Sequence, residues 1–279
     1  MTRSIYRCVE TQNPQPNGTT VDEVITGLRQ RRRSTTARLF DDGVVCARVR
    51  NWPARPDVAH LVLTDHTVAP SRSSLAEWTN VVRSDGYQVI RTGALSPQAA
   101  LPFEDAGFHQ IQSLALLRMN MPMTNLNHRT ATRPHHEMRP LRSQRSLDVA
   151  ARLDHLAFDS GWELDVDGIE EACRATPSHR IRLAVTTNDE PVGYMITGRN
   201  GSAGFIQRLA VDPAYKGQGV ATSLLLDGLA WLTRRRVADI LVNTHDDNDR
   251  ALALYRRLGF EQLTENLRVM ELVLTNRSE

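Results

Sequence analysis

The chain has 279 residues, 41% of them hydrophobic, which is length for two ordinary domains and apolar material for real cores, so disorder as the main state is excluded. Its 34 basic and 32 acidic side chains leave a net charge of +2, which gives no electrostatic reason to expect nucleic acid or a membrane surface as partner. No window approaches the roughly eighteen apolar residues of a membrane helix, the N-terminus lacks the apolar centre of a signal peptide, and Cys8, Cys46 and Cys173 are too scattered for a disulfide framework, so a cytoplasmic location is expected.

Residues 1–34, rich in Asn, Pro, Gln and Thr, read as a leader with one short helix candidate, VDEVITGLRQ. Its Arg31-Arg32-Arg33 run reads as solvated surface. A first module is expected over 35–119. A polar stretch with two prolines marks a linker at 120–135, and a second module fills 136–279. In that module HEMRPL reads as a strand, SLDVAARLDHLAF and VDGIEEACRA as amphipathic helices, and RIRLAVTTN, EPVGYMITGRN and GFIQRLAVD as strands. A glycine-bearing turn then leads into the apolar-periodic helix VATSLLLDGLAWLTRRRV. Strand ADILVNT, helix NDRALALYRRL ended by Gly259, and strand NLRVMELVL close the module. The expected class is α+β, each module a mixed, mostly antiparallel sheet flanked by helices.

A weak internal repeat supports two related modules. AALPFEDAGF, beginning at Ala99, echoes ALALYRRLGF, beginning at Ala251, and each precedes a β-rich closing segment. The chemistry is not repeated, because Ser71-Arg72-Ser73-Ser74 stands where the second module has its glycine turn and Phe103 stands where it has Tyr255. A nest of backbone N–H groups needs positive φ, which these residues disfavour. The first module is expected to be a scaffold.

In the second module Lys216, Gly217, Gln218, Gly219, Val220 and Ala221 join a strand to a long helix. Glycines there let successive N–H groups converge on an anion at the positive end of the helix. With the preceding Leu209-Ala210-Val211-Asp212-Pro213 and the following Asn243, Asn248, Ala251, Leu254-Tyr255 and Leu258-Gly259-Phe260, this resembles the GNAT superfamily of N-acetyltransferases, well over 136–275 and in outline over 35–119. Lys216 departs from the family's arginine or glutamine but keeps a donor.

The resemblance implies two tandem GNAT-like modules, the first degenerate, and an acetyl-CoA-dependent N-acetyltransfer to a primary amine by direct attack, with no metal. The backbone of Gly217 to Thr222 would hold the pyrophosphate, with Lys216 adding charge; Leu209, Ala210 and Val211 would line the pantetheine arm along a bulged, splayed strand, and Asn248 would reach its amide. Tyr255 would protonate the departing thiolate. Asn248 could equally be a helix N-cap. No glutamate stands where some relatives keep a base; Gln207 and Asn243 occupy those strands, and His245, on the face of Asn243, is a possible base or an exposed loop residue. His128, His135 and His136 lack partners at metal spacing. A non-catalytic CoA-sensing protein is the alternative from another class. The tandem arrangement also resembles mycothiol synthases, which makes a cysteinyl pseudodisaccharide an alternative acceptor.

Between Asp154 and Glu171 the resemblance locates the acceptor wall. The segment carries Asp154, Asp159, Glu163, Asp165, Asp167, Glu170 and Glu171 with no arginine or lysine. A cationic small amine or peptide N-terminus is therefore expected, met by Trp162, Glu163, Asp165 and Asn243. A monomer or homodimer is expected.

Overall fold

The computed structural model describes residues 37–52, 55–65, 68–121, 136–141 and 143–274. The expected leader with its helix candidate lies outside them, as do residues 122–135 of the expected linker with His128 and His135.

The first half contributes β1 (Arg38–Asp41), β2 (Cys46–Trp52), β3 (Arg55–Leu63), α1 (Arg72–Ser84), β4 (Val89–Thr92), α2 (Pro97–Asp105) and β5 (His109–Asn120). The second contributes β6 (Glu137–Pro140), α3 (Gln144–Ala157), α4 (Val166–Arg174), β7 (Ser178–Val185), β8 (Pro191–Asn200), β9 (Ala203–Val211), α5 (Val220–Arg234), β10 (Asp239–His245), α6 (Asp249–Leu258), β11 (Glu261–Gln262) and β12 (Leu267–Val273). Local chemistry accounts for the boundaries. Asn248 caps α6 by accepting from the Ala251 N–H, and Gly259 ends the helix at φ +97°, a left-handed cap that a Cβ would oppose. Ser143 and Ser146 form a reciprocal capping box on α3. The apolar period of α5 buries Leu224, Leu225, Leu229 and Trp231, as its sequence requires.

The strands form one sheet in the order β1-β2-β3-β4-β12-β5-β10-β9-β8-β7-β6, with β11 also on β5. Only β3/β4 and β9/β10 pair in parallel; every other pair is antiparallel. The order is symmetric about the β12/β5 pair: β1 to β4 correspond to β7 to β10, α1 to α5 and α2 to α6. Helices α3 and α4, with β6, have no counterpart among the described residues of the first half.

The closing strands are exchanged. β5 of the first half runs antiparallel to β10, from Asn120 opposite Asp239 to Leu114 opposite His245. β12 of the second half lies between β4 and β5, with Glu271 opposite Arg91. The cores follow the strands. Ala115, Leu117 and Met119 from the first half are buried with the α5 and α6 residues of the second, while Met270 and Leu274 join Leu61, Leu75, Ile90 and Phe103 in the core of the first. A third core lies on the opposite face of the second half, where α3 and α4 cover Tyr194, Ile196 and Ala210.

Burying a large apolar side chain contributes about 1.5–3 kcal/mol, and an open central strand is also an unpaired edge. Each half thus depends on a strand of the other. A chain beginning at residue 136 should lack a cooperative thermal transition by circular dichroism. A sharp melt at the temperature of the full chain would show instead that the second half completes its own sheet.

Candidate active site

β9 and β10 are hydrogen-bonded only from Ala203 opposite Asp239 to Ile206 opposite Val242. Beyond that point β10 continues on β5 to His245 and β9 continues on β8 to Val211, so the two separate into a wedge. A bulge marks the start of the wedge. Ile196 pairs with Arg208 and Thr197 with Ile206, which leaves Gln207 as an extra residue in β9. Its side chain fills the space over Gly198, where a Cβ would lie 2.4 Å from the Gln207 Oε1, and its Nε2 donates to the Ala172 carbonyl at 2.8 Å. Gln207 is therefore a structural residue of the bulge. At the far end the Asp212 N–H donates to the Val192 carbonyl at 2.9 Å. Alternation then turns the N–H groups of Leu209 and Val211 into the wedge, free to pair with an extended ligand. Their side chains pack toward α5 and that of Ala210 toward α3.

The turn after β9 follows from its residues. Asp212 caps a short 3₁₀ turn by accepting from the Ala214 N–H at 2.8 Å, and Gly217 and Gly219 adopt φ of +86° and +80°. Gly219 is the N-cap of α5 and supplies no side-chain acceptor. The helix bonds begin with the Ser223 N–H donating to the Gly219 carbonyl at 2.9 Å, so the N–H groups of Val220, Ala221 and Thr222 have no partner within the helix. They are donors left over at the positive end of α5, with Lys216 and Gln218 exposed beside them. Gly193 lets the start of α5 approach β8: a Cβ there would stand 2.8 Å from the Ala210 carbonyl and 3.0 Å from Val220. Arg250, which the sequence reading passed over, brings a guanidinium nitrogen to 3.9 Å from where a Gly217 Cβ would sit, adding a second cation to the turn. Its place two residues after the Asn248 cap was the available signal.

Tyr255 is 5% exposed, and its hydroxyl has no protein hydrogen-bond partner among the described residues. Burial pushes the phenol above its ordinary value, so it stays protonated at neutral pH. Its ring meets Phe260 edge to face at 5.7 Å, and Phe103 meets Phe108 in the same way at 5.2 Å, so the echo between the halves keeps the packing and loses the hydroxyl. In the first half Ser71 caps α1 by accepting from the Ser74 N–H, which occupies an N–H that the second half leaves free. Asn248 is the N-cap of α6, with its Oδ1 committed to Ala251 at 3.1 Å. Asn243 and His245 are exposed on β10. The His245 Nε2 lies 2.7 Å from the Gln112 amide nitrogen of β5, and its Nδ1 lies 3.9 Å from Asp247.

The expected acceptor wall is anchored by a buried ion pair. Asp154 is fully buried and receives two hydrogen bonds from Arg208, at 2.7 and 2.8 Å, together with one each from the Tyr194 hydroxyl and the Leu164 N–H. Arg208 also donates to the Trp162 carbonyl at 2.8 Å, which fixes the turn between α3 and α4 to β9. Asp165 is the N-cap of α4, accepting from Gly168 at 2.8 Å. Glu170 pairs with Arg174 at 3.1 Å, and Glu171 pairs with both Arg48 and Arg50 of β2. The carboxylates that the sequence set out as a lure for cations are thus largely engaged, by arginines from distant segments and by a helix terminus. Three are not engaged in this way: Asp159 and Asp167 are exposed, and Glu163 is buried, 3.9 Å from the His155 Nδ1, with its Oε2 lacking a hydrogen-bond partner. That narrows the basis for a cationic acceptor to Asp159, Glu163 and Asp167.

The first half reaches this wall directly. The Trp52 indole N–H donates to the Gly161 carbonyl, and its ring meets Trp162 edge to face at 4.9 Å. The Arg91 guanidinium lies 4.6 Å from the Trp52 ring and 5.0 Å from Trp162, while it is bonded to Glu271 at 2.7 Å. Trp162 faces His245 with ring centroids 6.3 Å apart. His60, edge to face with Trp52 at 4.6 Å, is pushed down to about 3 by burial and by Arg50, Arg48 and Arg91. A histidine held neutral in the fold but free to protonate when unfolded destabilises the fold as pH falls through the window from about 6.5 to about 3. The loss is on the order of 1 kcal/mol per pH unit. Urea titrations at pH 7 and pH 5 should show His60→Gln losing less stability on acidification than the parent; equal losses would mean that His60 titrates normally.

Comparison with known proteins fits this geometry. Residues 148–260 match the acetyltransferase (GNAT) family. Mycothiol acetyltransferase of Thermobifida fusca (strain YX) is 26% identical over 257 residues, covering 77% of this chain and 75% of that protein. A tandem GNAT protein from the clavulanic acid biosynthesis pathway superposes with a TM-score of 0.62 at 14% identity, over 87% of this chain and 85% of its own. A GCN5-related N-acetyltransferase from Kribbella flavida gives 0.56 at 12% identity, over 87% and 91%. These structural likenesses extend the shared fold across both halves, while the match to the GNAT acetyltransferase family covers residues 148–260.

Proposed function

We propose that the chain transfers an acetyl group from acetyl-CoA to a primary amine by direct attack within a ternary complex. The reading rests above all on one conjunction: the unpaired edge of β9 at Leu209 and Val211 leads to the free N–H groups at the start of α5. A thioester with an extended amide arm and a pyrophosphate matches that pair of features in order. Acetyl-CoA supplies the acetyl group as an activated thioester. The backbone from Gly217 to Thr222, with Lys216 and Arg250, holds the pyrophosphate, while Leu209 and Val211 pair with the arm and Asn248 lies at its side.

The new carbon–nitrogen bond forms as the carbon–sulfur bond breaks, with negative charge developing first on the carbonyl oxygen and then on sulfur. A wedge N–H of β9 donates to the oxygen. Tyr255, which burial keeps protonated, gives its proton to sulfur. His245, beside Trp162, takes the proton lost by the amine once it releases Gln112. Holding both reactants in this geometry supplies the rest of the acceleration. A mycothiol precursor as acceptor is the second reading, favoured by the 26% identical mycothiol acetyltransferase whose match covers 77% of the chain.

Tyr255→Phe should leave acetyl-CoA affinity nearly unchanged and lower the turnover number by on the order of a hundredfold. Turnover equal to the parent's would make the tyrosine structural. Calorimetry should give one acetyl-CoA per chain, abolished by Gly219→Glu, which puts a carboxylate and a strained φ into the anion site. Two sites per chain would mean that the capped α1 also binds, and a protein that binds but never releases CoA in the presence of amines would be the sensor.

A further inference from the structure

The first half carries a row of charged side chains on the sheet face away from its own core. Alternation sends Ala47, Val49, Ala59, Leu61 and Ile90 to the core beneath α1 and α2. The opposite face therefore carries Arg48 and Arg50 of β2, His60 of β3 opposite Arg50, and Arg91 of β4 opposite His60. This face looks onto the second half, because Arg48 and Arg50 reach Glu171 of α4 while Trp52 and Arg91 contact Trp162.

The charges along the row do not balance. Arg48 and Arg50 share the single carboxylate of Glu171, and Arg91 has Glu271, which leaves three guanidinium groups against two carboxylates. The Arg48 Nε and the His60 Nδ1 are shielded from solvent with no hydrogen-bond partner. One is an obligate donor and the other can be one. His60 keeps some solvent access. A sheet face with surplus positive charge, idle donors and two tryptophans beside it suits an anionic group next to an apolar stem.

We propose that the first half, although it lacks the acetyl-transfer machinery, selects the acceptor: Arg48, Arg50, His60 and Arg91 form the distal wall of the acceptor cleft and bind a carboxylate or similar anion carried by the amine. The inference rests on the acetyltransferase reading, since it gives that site its substrate class. Arg91 links the two ends, touching the row on one side and, through Trp162, the neighbourhood of His245 on the other. Arg91 is a specificity residue, remote from the proton transfers.

The test pairs acceptors that share an amine and differ only in the far charge: triglycine against triglycine amide, each titrated into the full-length protein saturated with CoA and followed by tryptophan fluorescence. The acid should bind about tenfold tighter than the amide, the range of one charge-assisted hydrogen bond in a shielded site. Arg50→Gln and Arg91→Gln should abolish that preference, and Arg91→Lys should restore part of it, with CoA affinity unchanged in all three. Equal binding of acid and amide, tighter binding of the amide, binding of neither, or a preference that survives both glutamine variants would overturn the proposal. Failure of the parent to bind CoA would instead count against the acetyltransferase reading, so the two failures are distinguishable.

Discussion

Everything in this molecule leans on the exchange of closing strands. A sheet is cooperative because each internal strand satisfies hydrogen bonds on both edges, and here the two central strands come from different halves of the chain. β5 holds β10 along its whole length, so β10 keeps its course after it has parted from β9. Without a partner on that side, the departing end of β10 would be an unsupported ribbon, and the wedge between β9 and β10 would have only one firm wall. Gln112, which meets His245, arrives on the same strand.

Bulge, glycine turn and buried ion pair then act within a few residues of one another. The extra residue Gln207 turns β9 away from β10, Arg208 immediately after it locks Asp154 and the Trp162 turn, and the strand ends in the turn that opens α5. Removing either partner of a pair as buried as Asp154 and Arg208 costs about 3–5 kcal/mol. In this place the loss would also release the turn between α3 and α4 from β9, the strand that borders the wedge. Stability and site geometry share the same bonds.

The halves diverge by small local changes on a common plan. Phe103 and Tyr255 hold equivalent edge-to-face packing, but only one carries a hydroxyl. Ser71 caps α1, whereas Gly219 leaves the start of α5 uncapped. A cap that stabilises a helix and a gap that binds an anion use the same N–H groups, so one position cannot do both. The first half has the capped helix start, and the second keeps the free N–H groups.

The sequence alone determined the elements, because apolar period, caps and glycine placement are properties of a few neighbouring residues. The α5 stripe, the Asn248 cap, the Gly259 stop and the glycine turn were all legible, as was the place of Tyr255 on α6. The tertiary structure decided what those elements meet. Glu171 looked free until β2 brought Arg48 and Arg50 to it, Asp165 until it proved to cap α4, and Gln207 read as a failed base until the bulge gave it a packing role. The strand exchange was equally invisible, since β5 and β12 read as ordinary closing strands and nothing local says which neighbour each will choose. Register and charge pairing are set by residues more than a hundred positions apart, and their energies exist only once the sheet has closed.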